Sequence, residues 1–153
     1  MINAYTDGAC STKSKIGGWG VYIEDEITSY TLGGYKFETT NNEMELTAVV
    51  EFIKWYKNNL INEPVVIYSD SAYVVNCFID KWYEKWLNNG WIASNKKPVK
   101  HKELWQVIID FLKLPQVSLK KVAGHSNSAG NERADEIAVD QRIRGQMVLK
   151  IGE

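Results

Sequence analysis

Apolar and polar positions fall into a readable order of elements along this chain. Ile2 to Thr6 predicts a short strand that delivers Asp7 into a glycine-containing loop. Gly17-Gly18 leads into WGVYIED, and ITSYTLGGY follows, so the first third predicts an antiparallel meander. From Thr40 the period changes. Met44, Val49, Phe52, Ile53 and Tyr56 recur at helical spacing and predict an amphipathic helix of about four turns, with Asn41 or Asn42 as its N-cap. Pro64 interrupts the chain before Val65-Val66-Ile67-Tyr68, a continuous apolar run of the kind buried on both faces of a sheet. Helical patterns follow over 71–87 and 101–112, separated by the turn-rich NNGWIASNKKP. Val117 to Val122 predicts a last strand, and 129–143 a last helix. Three strands, then helix, strand, helices, strand and helix describe an α/β domain: a mixed sheet covered by helices. With no repeat or linker in view, the expectation is one domain over residues 1–145 and a short tail over 146–153.

Composition narrows the class. The chain has 153 residues, 44% of them apolar and 24% charged, enough to bury a core without staples. No apolar run approaches the roughly 20 residues of a membrane helix. The opening MINAYTDGAC has no basic stretch followed by an apolar one, so a cytoplasmic protein without membrane attachment is expected. Cys10 and Cys77 are too few for a disulfide framework, and with two scattered histidines they make no zinc pattern. Any metal would sit on oxygen.

The formal charge of −1 excludes a protein that is basic all over, but local charge decides nucleic-acid binding. Between Lys81 and Lys102 stand Lys81, Lys85, Lys96, Lys97, Lys100 and Lys102 against one acid, Glu84. Trp82, Trp86, Trp91 and Trp105 lie in or beside this stretch. Lysines attract phosphates and flat rings offer stacking surface, although the same rings could equally fill a core.

Four acids stand where the pattern predicts an apolar or turn residue. Asp7 ends the first strand, Glu45 lies in line with the buried face of its helix, Asp70 follows the most apolar strand, and Asp135 sits in the last helix near Ile137 and Ala138. Each has an ordinary reading: a turn, a helix-dipole partner, a cap, an exposed surface acid. Together they suggest a crevice at the ends of adjacent strands, where carboxylates would repel unless divalent cations neutralise them. Hard oxygen ligands favour Mg²⁺ or Mn²⁺, and two such ions about 4 Å apart can clamp an in-line displacement at phosphorus.

The residues around these acids carry a resemblance. Tyr5-Thr6-Asp7-Gly8-Ala9-Cys10, Thr40-Asn41-Asn42-Glu43-Met44-Glu45-Leu46, Tyr68-Ser69-Asp70-Ser71-Ala72-Tyr73-Val74, and Gly124-His125 with Gly130-Asn131-Glu132-Arg133-Ala134-Asp135 resemble, in order, the four motifs of the type 1 ribonucleases H. The resemblance covers nearly the whole chain. It implies a five-stranded mixed sheet with three antiparallel strands and endonucleolytic cleavage of the RNA strand of RNA–DNA hybrids, leaving 5′-phosphate and 3′-hydroxyl ends. It further implies two Mg²⁺ ions, replaceable by Mn²⁺, held by Asp7, Glu45, Asp70 and Asp135. His125 would move a proton or help release product. Cys10, Thr40, Asn41 and Asn42 would bind the hybrid, the amides reading 2′-hydroxyls. Residues 81–102 would form a basic protrusion, with Lys85, Lys96, Lys97 and Lys100 on DNA phosphates, Trp82 against sugars, and Trp86 and Trp91 packed inside. The family also implies a monomer.

The chain departs from the family where phosphates are held. Glu43 and Glu38 stand where relatives often carry Arg, His101 where Asn is common, and Ser11-Thr12-Lys13-Ser14-Lys15 replaces a Gly-Asn-Pro-Gly loop. The protrusion, with Lys85-Trp86-Leu87-Asn88-Asn89-Gly90, lacks a lysine–arginine cluster. Looser hybrid binding and a flatter salt dependence than those of a more basic relative follow. A DNA nuclease or recombinase on the same fold is the competing enzymatic reading; Asn41, Asn42 and the protrusion oppose it. A non-catalytic hybrid-binding module is the other alternative, opposed by the presence of all four acids.

Overall fold

The computed structural model describes residues 1–122 and 128–152. Five strands form one mixed sheet: β1 (Ile2–Cys10), β2 (Gly17–Glu24), β3 (Ser29–Lys36), β4 (Val65–Ser69) and β5 (Val117–Lys121), in the spatial order β3-β2-β1-β4-β5. The first three pair antiparallel, as the meander predicts, while β1–β4 and β4–β5 are parallel. The parallel register sets Thr6 beside Ser69, so the residues that follow, Asp7 and Asp70, stand side by side where the β1–β4 pairing ends.

The helices are α1 (Asn41–Asn58), α2 (Ala72–Ile79), α3 (Trp82–Asn89), α4 (Lys102–Leu112) and α5 (Ala129–Gly152). The predicted apolar face of α1 is its buried face, with Met44, Val49, Phe52, Ile53 and Tyr56 all at most 3% exposed. It meets α4 through Phe111, which stands edge-on to Phe52 and Tyr56. Burying side chains of this size contributes roughly 1.5–3 kcal/mol each. A different device seats α5. Gly18 and Gly20 of β2 leave room for its backbone; a Cβ on Gly20 would lie 2.6 Å from the carbonyl oxygen of Ala134. No described helix is long and apolar enough to cross a membrane.

Several expectations need correction. β1 continues through Cys10, so Asp7 is not in a loop but inside the strand, paired with Gly20. The N-cap of α1 is Thr40, not Asn41 or Asn42: its backbone is extended (φ −129, ψ 164) and its hydroxyl accepts the N–H of Glu43 at 3.1 Å. That geometry is what an N-cap requires, and it starts the helix at Asn41. The single helix expected over 71–87 is two, because Lys81 adopts a left-handed backbone (φ 56) between α2 and α3. The last helix does not stop near 143 but runs to Gly152, so most of the expected tail is helical. Its extension gains contacts with the β1–β2 loop and β3: Gly145 packs against Ile16 and Tyr35, and the Gln146 amide donates to the Ser14 hydroxyl at 3.3 Å.

Candidate active site

Asp7 from β1, Glu45 from the first turns of α1 and Asp70 at the end of β4 each place a carboxylate oxygen within 4.8 Å of the others. Asp135 of α5 joins them along an open groove of about 430 Å³ and lies in hydrogen-bonding range of Asp7. Asn41, Asn42 and Ser71 line the same groove. Strand register brings Asp7 to Asp70, α1 brings Glu45 over the sheet, and the glycines under α5 let Asp135 approach from the other side.

Close approach of α1 depends on Gly8. A Cβ there would lie 2.5 Å from the backbone nitrogen of Glu45 and 2.6 Å from the carbonyl carbon of Met44. The Gly8 N–H donates to both Asp7 Oδ1, at 2.9 Å, and Glu45 Oε1. Ser71 caps α2 by accepting the Val74 N–H at 3.2 Å, and its hydroxyl also bonds to Glu45. Neither role was read from the sequence. Both residues stand inside the matched motifs, each directly after one of the acids.

The electrostatics of the cluster are unfavourable without a cation. Burial pushes the Asp7 carboxyl far above the usual range, and the adjacent Glu45, then the charge of Asp70, push it further. Glu45 is raised too, first by burial; hydrogen bonding to Asp7 opposes this, the charge of Asp70 adds to it, and Gly8 and Ser71 offset part of it. The other Glu45 oxygen, Oε2, is buried and has no hydrogen-bond partner among the described residues. A buried carboxylate oxygen without a partner is costly. Three converging carboxylates with one oxygen unsatisfied fit a hard divalent cation, and they offer it only oxygen ligands.

The other expected residues fall in three groups. Asn41 and Asn42 are exposed beside the acids, with their amides open to the groove. Thr40 and Cys10 line a neighbouring cavity of about 600 Å³ with Ser11, Thr12, Lys15, Glu38, Thr39 and Asn41. There the Cys10 thiol donates to the carbonyl of Thr39 at 3.5 Å, and the Thr40 hydroxyl is engaged as the helix cap. Farther out, Lys85, Lys96, Lys97 and Lys100 are exposed on the protrusion and form no ion pair among the described residues. Trp86 and Trp91 stack at 5.8 Å and Trp86 continues onto Trp105, so these rings pack as expected. Trp82 is half-buried against Trp86. His125 lies outside the described residues.

Comparison with known proteins agrees with this geometry. A family model described as RNase H matches residues 1–143. A ribonuclease H of Acetivibrio thermocellus is 42% identical over 142 residues, covering 92% of this chain and 93% of its own. One from Orientia tsutsugamushi is 40% identical over 152 residues, covering 99% and 88%. Among solved structures, a type 1 RNase H with the type 2 active-site motif superposes with a TM-score of 0.81 at 25% identity, covering 94% of this chain and 72% of that one. A foamy viral protease-reverse transcriptase in complex with RNA/DNA hybrid superposes at 0.77 and 27% identity, covering 92% of this chain and 20% of that one. With the sheet order, the acid cluster and sequence identity of this extent in agreement, the chain belongs to the ribonuclease H family.

Proposed function

We propose that this protein hydrolyses the RNA strand of RNA–DNA hybrids endonucleolytically, using two Mg²⁺ ions and leaving 5′-phosphate and 3′-hydroxyl ends; Mn²⁺ substitutes. The observation that carries the reading is the meeting of Asp7, Glu45 and Asp70 around a buried Glu45 oxygen that has no partner among the described residues. Asp7 and Asp70 would make the most direct contacts with the ions, while Glu45 and Asp135 complete the ligand set from the two helices. Bound there, such ions supply an activated water and Lewis-acid stabilisation of the leaving oxygen. The chain's own part is orientation. The Gly8 N–H and Ser71 hydroxyl hold Glu45 in place, so its negative charge is presented without rearrangement.

Hybrid selection is assigned to two surfaces. Asn41 and Asn42, exposed at the groove, bond to minor-groove groups including 2′-hydroxyls, which duplex DNA lacks. Cys10 and Thr40 continue that contact. Lys85, Lys96, Lys97 and Lys100 meet the phosphates of the DNA strand, with Trp82 against its sugars. His125 is assigned the proton-transfer or product-release role, for which an imidazole near its ordinary pKa is suited. The protein works as a monomer in the cytoplasm. The foamy viral relative seen with RNA/DNA hybrid supports the choice of substrate.

The deciding experiment is cleavage of a hybrid labelled separately on each strand, beside duplex DNA and duplex RNA, with and without Mg²⁺. Metal-dependent cutting confined to the RNA strand of the hybrid is expected. Equal cutting of duplex DNA would replace this reading with a DNA nuclease, and binding without cutting would replace it with a hybrid-binding module.

A further inference from the structure

Glu43 stands two residues before Glu45 but belongs to a different cluster. Its side chain is 16% exposed and receives Lys36 Nζ at 2.7 Å and the hydroxyl of Thr39, while His101 Nδ1 lies 3.9 Å away. These groups come from the end of β3, the β3–α1 connection and the residue preceding α4. Burial works against the Glu43 carboxylate, but Lys36, Thr39 and His101 outweigh it and hold the group below the usual range. A pocket of donors assembled from three elements is thus already filled, by the chain's own anion.

The cluster borders the path of the substrate. Thr39, its hydroxyl donor, lines the 600 Å³ cavity, and Asn41 lines both that cavity and the groove of acids, so the two hollows meet at Asn41. A nucleic-acid strand crossing the acids and passing over Asn41 would bring further phosphates to this cluster. Lys36 is half-exposed, but its charge is matched by Glu43. The protrusion lysines, by contrast, have no acid partner among the described residues.

We propose that Glu43 is a specificity-setting residue, an internal counter-anion that holds Lys36 away from the phosphates of the hybrid and limits binding at the edge of the cleavage groove. The proposal rests on the hybrid being the substrate. Glu43 acts through its partners and does not touch the reacting atoms, so it is a positioning residue. It also supplies a cause for the flatter salt dependence expected from the sequence: a lysine is present near the phosphates but is already paired.

The test is binding and cleavage of an RNA–DNA hybrid by Glu43→Gln across a salt series. Gln is nearly isosteric and leaves the N–H bond to Thr40 in place. Expected are tighter binding at low salt, a slope of log affinity against log salt steeper by about 0.9 for each phosphate contact released to form, and a lower KM with no rise in kcat. Unchanged or weaker binding would overturn the proposal. The double variant Glu43→Gln/Lys36→Met removes the ion pair at constant net charge and is expected to bind as the wild type does. A double variant with a weaker affinity and flatter slope would show Lys36 already on a phosphate, which also overturns it. A wild-type protein that neither binds nor cuts the hybrid would remove the functional reading itself; one that does both while Glu43→Gln changes nothing removes only this proposal.

Discussion

Replacing Asp7 with Asn should make the metal-free protein more stable while ending its activity. Asp7 is 5% exposed and shares a space 4.8 Å across with the carboxylates of Glu45 and Asp70. At that separation and an effective dielectric of about 20, each like-charge pair costs about 3 kcal/mol. The folded state avoids part of this by keeping a proton on Asp7, whose pKa is therefore raised above its ordinary 3.8. The sign follows from linkage. A folded state that binds more protons than the unfolded chain is favoured at low pH, and the advantage is lost as pH rises from about 3.8 through the raised value. The metal-free wild type should thus lose stability from mildly acidic to alkaline pH. Asp7→Asn has no proton to lose over this range, keeps the oxygen that accepts the Gly8 N–H, and should lose much less stability. Relief of about 3 kcal/mol corresponds to a Tm higher by about 6–12 °C at pH 8 in chelator, at roughly 2–4 °C per kcal/mol for a chain this long. Adding Mg²⁺ should narrow the gap, because an ion at a hundred times its Kd stabilises the wild type by about 2.7 kcal/mol and the variant by less. Thermal melts from pH 5 to 9, with chelator or with Mg²⁺, measure all of this. A variant that melts at or below the wild type at pH 8 in chelator would refute the reasoning, as would equal stabilisation of both by Mg²⁺.

Further outcomes can be checked in the same preparations. Asp70→Asn should abolish cleavage while leaving fold and hybrid binding intact, as read by circular dichroism and binding in chelator; near-normal turnover would remove its assigned role. Lys96→Ala and Lys97→Ala should each weaken hybrid binding and flatten the salt slope by about one, with kcat at saturation preserved. An unchanged slope would take those lysines off the phosphates. Gly20→Ala places a methyl 2.6 Å from the Ala134 carbonyl oxygen and should cost about 1–3 kcal/mol by chemical denaturation, with α5 and its Asp135 displaced. A variant as stable as the wild type would show that α5 can shift freely. Thr40→Ala removes the cap of α1 and should cost about 1 kcal/mol, whereas alanine at Asn41 should cost less.

What was legible in the amino-acid order is what depends on neighbours a few positions apart. The helical recurrence from Met44 to Tyr56 gave α1 and its buried face, and with it the anomaly of Glu45 on that face. Pro64 and the apolar run after it marked β4 and put Asp70 at its end. Local pattern went astray where a distant partner decides: pairing with β2 carries β1 past Asp7, contacts with the β1–β2 loop hold α5 at Gly145 and Gln146 beyond its expected end, and a left-handed Lys81 divides a continuous helical pattern. The active site belongs to the same class. Asp7 and Asp70 become neighbours through the parallel register of β1 and β4, Glu45 closes on them because Gly8 has no side chain, and Glu43 finds Lys36 and His101 across three elements. Periodicity records which face a residue takes within its own element. Which charges meet is settled when those elements pack, since Coulomb energy and desolvation depend on distances through space.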